Sequence, residues 1–385
     1  MVHRLIVHMK LWKEFPNSLM TESSNIWPPS SCDMTPCDFF LRICLKNCIF
    51  KMPVHNLEKL RRRIIDSTKH TPELSSDALS DEFINSINAA QSSWRAAKVW
   101  PENTTEEFLN GLSGAVDPET YLHEYKHQID YRPKFRGESH LPDDFDAREK
   151  WPKCSSIGTA RNQGKCGSCW AVAVASVFTD RYCISMRGKA NMNFSAEDIM
   201  SCCGELCLAK KEPCRGGRVD SAWKFVKQRG VDKRFITSTY FILSKDVEEI
   251  KREIMLNGPV VAHMDVWYDF EAYGGGIYRH TGNSGKRDFK HAVKLIGWGF
   301  DTMQGNSYWL GVNSWGPRWG EGGAFKIIRG GDHCGIESAI MTGHVNPHQR
   351  YVDNPYRKGA KITTSKPSNS TSSGILPTPS QFVVF

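Results

Sequence analysis

Gln163-Gly-Lys-Cys-Gly-Ser-Cys169-Trp170 constrains this chain more than any other stretch. Cys169 stands directly before Trp170-Ala-Val-Ala-Val-Ala-Ser-Val-Phe178, an almost wholly apolar run that reads as a buried helix. A thiol at a helix N-terminus feels the positive end of the macrodipole, which favours the thiolate. Thiolate is the form that attacks carbonyls. Gln163 lies six residues upstream, where a side-chain amide has the reach to meet the oxyanion such an attack creates. The intervening glycines allow a tight turn and leave room for a second chain. One short run therefore offers a nucleophile, a pKa-lowering element and an oxyanion donor. A lone cysteine in a chain with 13 of them would read as structural; the full run does not.

Two residues far downstream complete the pattern. His291 opens the strand-like run His291-Ala-Val-Lys-Leu-Ile-Gly-Trp-Gly299. Asn313 follows a second such run, Tyr308-Trp-Leu-Gly-Val312. Imidazole suits the deprotonation of a thiol because its ordinary pKa lies close to neutral pH. An amide oxygen on its other ring nitrogen fixes the tautomer. Trp315 is placed to shield that hydrogen bond from water. Each residue alone would pass as a strand histidine or a turn asparagine; their chain order after Cys169 argues otherwise.

Cys166-Gly-Ser-Cys169-Trp170 fits the local signature of papain-type cysteine proteases. Residues 141–345 resemble the peptidase unit of the papain family, and within it the cathepsin B-like branch. Leu141-Pro-Asp-Asp-Phe-Asp-Ala-Arg-Glu-Lys-Trp-Pro152, the cysteines Cys202, Cys203, Cys207 and Cys214-Arg-Gly-Gly217, and Arg329-Gly-Gly-Asp-His-Cys-Gly-Ile-Glu-Ser338 carry the resemblance. It implies an α+β, papain-like two-lobed fold: a helical lobe, a β-barrel-like lobe, and an active-site cleft between them. It implies cysteine-type peptide hydrolysis through a thioester, with Cys169 as nucleophile, His291 as acid–base, Asn313 as its orienter, and Gln163 with the Cys169 N–H as oxyanion hole. Gly216 and Gly217 would pair with the substrate backbone. Glu337 would lie at the floor of the pocket for the residue two before the scissile bond and admit Arg there. Disulfides would join Cys154 to Cys183, Cys166 to Cys214 and Cys203 to Cys207, leaving Cys202 and Cys334 unassigned. Such cysteine usage implies an oxidising compartment, lysosomal or extracellular by resemblance. No cofactor and no metal is implied; a zinc site would need two-plus-two spacing with histidines.

The sequence departs from the family in two places. Cathepsin B carries a long insertion after the glycine pair, the occluding loop, which confers dipeptide release. Here Ala222-Trp-Lys-Phe-Val-Lys-Gln-Arg-Gly-Val231 runs almost directly into Phe235-Ile-Thr-Ser-Thr-Tyr-Phe-Ile-Leu243, so that activity is expected to be lost. Lys290 replaces the usual Gly or Asp before the histidine, and a cation beside His291 would lower its pKa. The alternative reading is a catalytically dead, cathepsin B-like binding protein crippled by the deletion.

Four regions are expected along the 385 residues. Residues 1–70 include Trp27-Pro-Pro-Ser-Ser-Cys-Asp-Met-Thr-Pro-Cys-Asp-Phe-Phe-Leu41 and Leu57-Glu-Lys-Leu-Arg-Arg-Arg-Ile-Ile65, which resemble the end of a mariner-like transposase. Asp38 matches its last catalytic carboxylate, but the other metal-binding carboxylates are missing. A fused fragment or gene-model join is the expectation, with a DNA-binding product as the lesser alternative. The opening ten residues are too short and polar for a signal peptide. Residues 71–140 resemble the short cathepsin B propeptide: Leu79, Phe83, Ile84 and Ile87 share a helical face behind the capping Ser80, and Trp94, Trp100, Phe108 and Leu109 are candidate anchors. It would lie through the cleft as inhibitor until cut between His140 and Leu141. Residues 346–385 read as a disordered tail. A net charge of +8 is scattered rather than patched, so neither nucleic acid nor membrane is an expected partner. Peptide or protein substrates and a monomeric state are.

Overall fold

The computed structural model describes residues 80–91, 93–121, 141–232, 235–243, 245–282 and 284–346. The chain divides into two compact units, Met1–Pro72 and Glu73–Phe385, and all described residues belong to the second. The transposase-like stretch, Leu79, the His140–Leu141 junction's His140 and the tail lie outside the described residues.

Ser80 caps helix α1 (Asp81–Ala90) by accepting the Phe83 N–H at 3.1 Å, and Phe83, Ile84 and Ile87 are buried as their spacing predicts. A short strand β1 (Trp94–Ala96) and a one-turn helix α2 (Glu106–Asn110) follow. The peptidase region begins with β2 (Phe145–Asp146) and reaches α3 (Cys169–Ser185). Every residue of α3 from Cys169 to Cys183 is buried, its apolar residues running round the helix and its Asp180 and Arg181 held in ion pairs. Helices α4 (Ala196–Cys202) and α5 (Val219–Gln228) pack against it to form the helical lobe. The expected disulfides Cys154–Cys183, Cys166–Cys214 and Cys203–Cys207 are all present.

The second lobe is built from β3 (Thr239–Leu243), helix α6 (Val247–Asn257), β4 (Val260–Met264), β5 (Tyr273–Tyr278), β6 (His291–Asp301), β7 (Asn306–Val312), β8 (Ala324–Ile328) and β9 (Ile340–His344). Strand order is β1-β5-β8-β7-β6-β4-β9-β3, with β2 on β6. Among the described strands, β5 and β8 are the one parallel pair. The expected barrel-like closure is not found: the path is open, ending at β1, supplied by the N-terminal segment, and at β3. Where a large insertion was expected to be missing, Val231 and Phe235 exchange both backbone hydrogen bonds, at 2.8 and 3.1 Å. The Phe235 ring then stacks into the helical lobe on Tyr182 and Phe194. The described ends of the short join, Val231 and Phe235, are therefore held to each other.

Buried ion pairs tie the lobes together. Lys294 of β6 meets Asp180 of α3 at 2.8 Å, both side chains almost fully enclosed. Arg181 meets Glu253 of α6 at 2.8 Å and donates to the carbonyls of Gly258, Pro259 and Gly343. Removing one member of such a pair strands a charge in low dielectric. Asp180→Ala is expected to lower unfolding stability by about 3 to 5 kcal/mol, measured by denaturant titration of the full chain.

Candidate active site

Cys169 is the first residue of α3, with Ser168 at the N-cap. Its sulfur is reached by backbone N–H groups of Ala292, Gly114, Trp170 and Ala115, the Gly114 N–H at 3.4 Å. His291 opens β6 and Asn313 follows β7, its antiparallel neighbour. Cross-strand pairing brings the two together: His291 Nε2 donates to Asn313 Oδ1 at 2.7 Å, and both residues are buried. The Ser314 N–H donates to the same Oδ1 at 2.7 Å. An acceptor oxygen fixes the proton on Nε2 and leaves Nδ1 with its lone pair. Trp315 covers this pair as expected, its ring 4.8 Å from that of His291.

Gln163 sits on the loop before α3. Its Nε2 donates to the carbonyls of Leu112 at 2.9 Å and Cys166 at 2.7 Å, while Ser314 Oγ donates to its Oε1 at 2.7 Å. Gly217 offers its backbone to the N-terminal segment: it donates to the Gly114 carbonyl at 2.8 Å and accepts from the Val116 N–H at 3.0 Å. A side chain at Gly217 would collide with the Trp170 ring and the Cys207 carbonyl. Gly216 instead uses its carbonyl on the Ala209 N–H, at 2.9 Å. From the opposite wall Lys290 accepts the Ala115 N–H at 2.8 Å. Residues 112–116 thus lie in the cleft like a bound peptide, with the Leu112 carbonyl on the Gln163 amide.

The anchors of that segment were legible in the sequence. Trp94 Nε1 donates to the Arg279 carbonyl and Trp100 Nε1 to that of Glu271, both at 2.9 Å. Trp100 packs between Phe108 and Trp315, and Leu109 is buried. Sequence reasoning missed the polar clasp. Arg287 bridges Glu271 of the peptidase and Glu106 of the segment, and also binds Asn110.

Two expectations are corrected. Lys290 does not act on His291: its ammonium turns to Asp265 at 3.0 Å and Asp117 at 3.7 Å. Burial is the main cause that lowers the imidazole pKa, to about 4, against Asn313 and the Leu112 backbone, which raise it. Glu337 has a different occupation from a pocket floor. Its Oε1 accepts from Trp309 Nε1 at 2.9 Å and the Gly330 N–H at 2.7 Å, its Oε2 from the Asp332 N–H at 2.8 Å. It is 4% exposed and ties the loop before β9 to β7.

Burial also pushes the Cys169 thiol up, to about 11, despite the N–H groups of Ala292, Gly114, Trp170 and Ala115. Under the segment the pair is therefore thiol and neutral imidazole. A depressed histidine pKa stabilises the covered state fully above its ordinary 6.5, and that stability is lost as pH falls towards about 4. Its size is on the order of 3 kcal/mol. Activity emerging from the full chain is expected to rise steeply between pH 6.5 and 4; a profile flat over that range would refute the linkage.

The sequence profile of the papain family cysteine proteases matches residues 141–240 and 233–344. The chain belongs to that family and is a cathepsin B-like cysteine protease. It is 32% identical over 360 residues to cathepsin B-like cysteine proteinase 6 of Caenorhabditis elegans, covering 74% of this chain and 87% of that one. It is 37% identical over 249 residues to a gut-specific cysteine proteinase of the same organism, covering 53% and 73%. Procathepsin B S9 from Trypanosoma congolense superposes with a TM-score of 0.63 at 29% identity, covering 70% of this chain and 99% of that one. Digestive procathepsin L2 of Tenebrio molitor, at 23% identity and TM-score 0.57 over 78% of this chain and 97% of that one, shares the fold.

Proposed function

We propose that the chain is a cysteine endopeptidase made as a zymogen, with residues 71–140 as its own inhibitor. The observation that carries this is the pair of consecutive peptide groups parked over the nucleophile: the Leu112 carbonyl on the Gln163 amide, and the Gly114 N–H on the Cys169 sulfur. Once the segment is gone, His291 Nδ1 takes the thiol proton. The thiolate attacks the scissile carbonyl carbon, and Gln163 and the Cys169 N–H hold the oxyanion. The imidazolium protonates the leaving amine, the C–N bond breaks, and a thioester remains. Water, deprotonated by His291, attacks the thioester; acid is released and the thiol regenerated.

The missing loop leaves the cleft open at one end, so internal cleavage replaces dipeptide release. Proteins and peptides are the substrates, the working form is a monomer, and the three disulfides fit a lysosomal or extracellular setting. Residues 1–70 are a fused fragment without a part in the chemistry. An epoxide or vinyl-sulfone inhibitor tests the reading. It should modify Cys169 of the acid-processed chain; a folded sample that resists labelling would favour the inactive binding protein.

A further inference from the structure

Lys290 and His263 stand on the sheet-lobe wall of the cleft, on neighbouring stretches of chain: β4 pairs with β6 so that His263 faces Ala292 and Met264 faces His291. Val261, two residues from His263 and hence on the same face of β4, shares one buried cluster with Ala115, Cys169 and Ala292. His263 is thereby on the face of β4 that is turned to the helical lobe. The ring is 1% exposed. Its Nδ1 lies 3.0 Å from the Ala339 carbonyl and donates to it, and its Nε2 has no hydrogen-bond partner among the described residues. A buried ring nitrogen left without a partner is costly and needs explaining. Beside it the Lys290 ammonium meets Asp117, two residues beyond Ala115 in the segment, at 3.7 Å, while Asp265 holds it from the protein side at 3.0 Å. The β4–β6 register sets His263 opposite Ala292, two residues from Lys290 and so on the same face, and the two side chains share this side of the sheet. Glu337, the carboxylate that would have drawn a substrate Arg, is engaged elsewhere.

We infer that this corner is a subsite for an acidic substrate side chain, with Lys290 as the specificity-determining residue and His263 as its second polar wall. A substrate carboxylate entering where Asp117 lies keeps the Lys290 pair. A carboxyl group that reaches deeper than Asp117 does would also satisfy His263 Nε2 in either protonation state, accepting from the imidazolium or donating to the neutral ring. An Arg side chain would instead face the Lys290 ammonium. The inference deepens the peptidase reading and rests on it.

The test uses the full chain after acid activation, its active sites titrated with an epoxide inhibitor. Peptides differing only in Glu, Gln, Asp, Asn or Arg are compared at each of the three positions before the scissile bond. At one position kcat/KM for the acid should exceed that for its amide by about three- to five-fold, the span of a partly exposed ion pair, mainly through KM. Lys290→Gln should bring the acid-to-amide ratio close to one. Equal rates for acid and amide at all three positions, a preference for Arg, or a ratio unchanged in the variant would overturn the inference. In those cases hydrolysis of the neutral peptides leaves the peptidase reading standing; a chain that neither takes the label nor cleaves any peptide overturns both.

Discussion

Cys169→Ala is expected to reduce peptide hydrolysis by the processed chain by about 10⁵-fold or more, with folding intact. The magnitude follows from removing the only atom that forms the acyl bond: the residual rate comes from binding and the oxyanion donors alone. Truncation leaves a small void at the start of α3, where Cys169 shares a buried cluster with Trp170 and Ala292. Thermal unfolding should shift little, and the loss should fall on kcat. Steady-state kinetics of purified, processed protein checks it. Activity within tenfold of the parent would mean that another group attacks the carbonyl, and the site as drawn would be wrong.

Gly114→Ala should have the second largest effect, and in the opposite direction. A Cβ at this position would lie 1.9 Å from the Gly167 carbonyl oxygen, far inside contact distance and against backbone that cannot swing aside. The segment must lift, costing about 2 to 3 kcal/mol as overpacking does. The fraction of unprocessed chain with an open cleft rises by about 30- to 150-fold. The readout is hydrolysis by full-length protein before any cut, with the processed form, which lacks residue 114, as reference. If the variant stays as silent as the parent, the segment does not inhibit by filling the cleft here.

The pieces of the site that the sequence makes legible are those fixed by local chemistry. Cys169 is visible because helix start and nucleophile are adjacent in the chain. His291 and Asn313 are visible because each begins or follows an apolar run, and neighbouring antiparallel strands carry such ends together. Ser80 and its helical face are legible for the same reason. What is hidden depends on tertiary direction. The Lys290 ammonium is turned by Asp265, just past the end of β4, and only the register of β4 on β6 shows that proximity. Glu337 turns inward because its loop bends through left-handed backbone at Asp332 and Cys334, non-glycine positions that no composition rule predicts. The open sheet is hidden too, since closure depends on what lies at both ends of the strand path.

Gln163 belongs to the helical lobe, yet its amide is steered by Ser314 of the sheet lobe: Ser314 Oγ donates to its Oε1, and the Gln163 N–H donates to the Ser314 carbonyl at 2.9 Å. Ser314 is also the residue that braces Asn313. Gln163 and Asn313, the proposed oxyanion donor and imidazole orienter, are therefore interlocked through a single serine. A chain whose halves have not yet docked has neither in register, so a nascent copy stays harmless until its own assembly is finished.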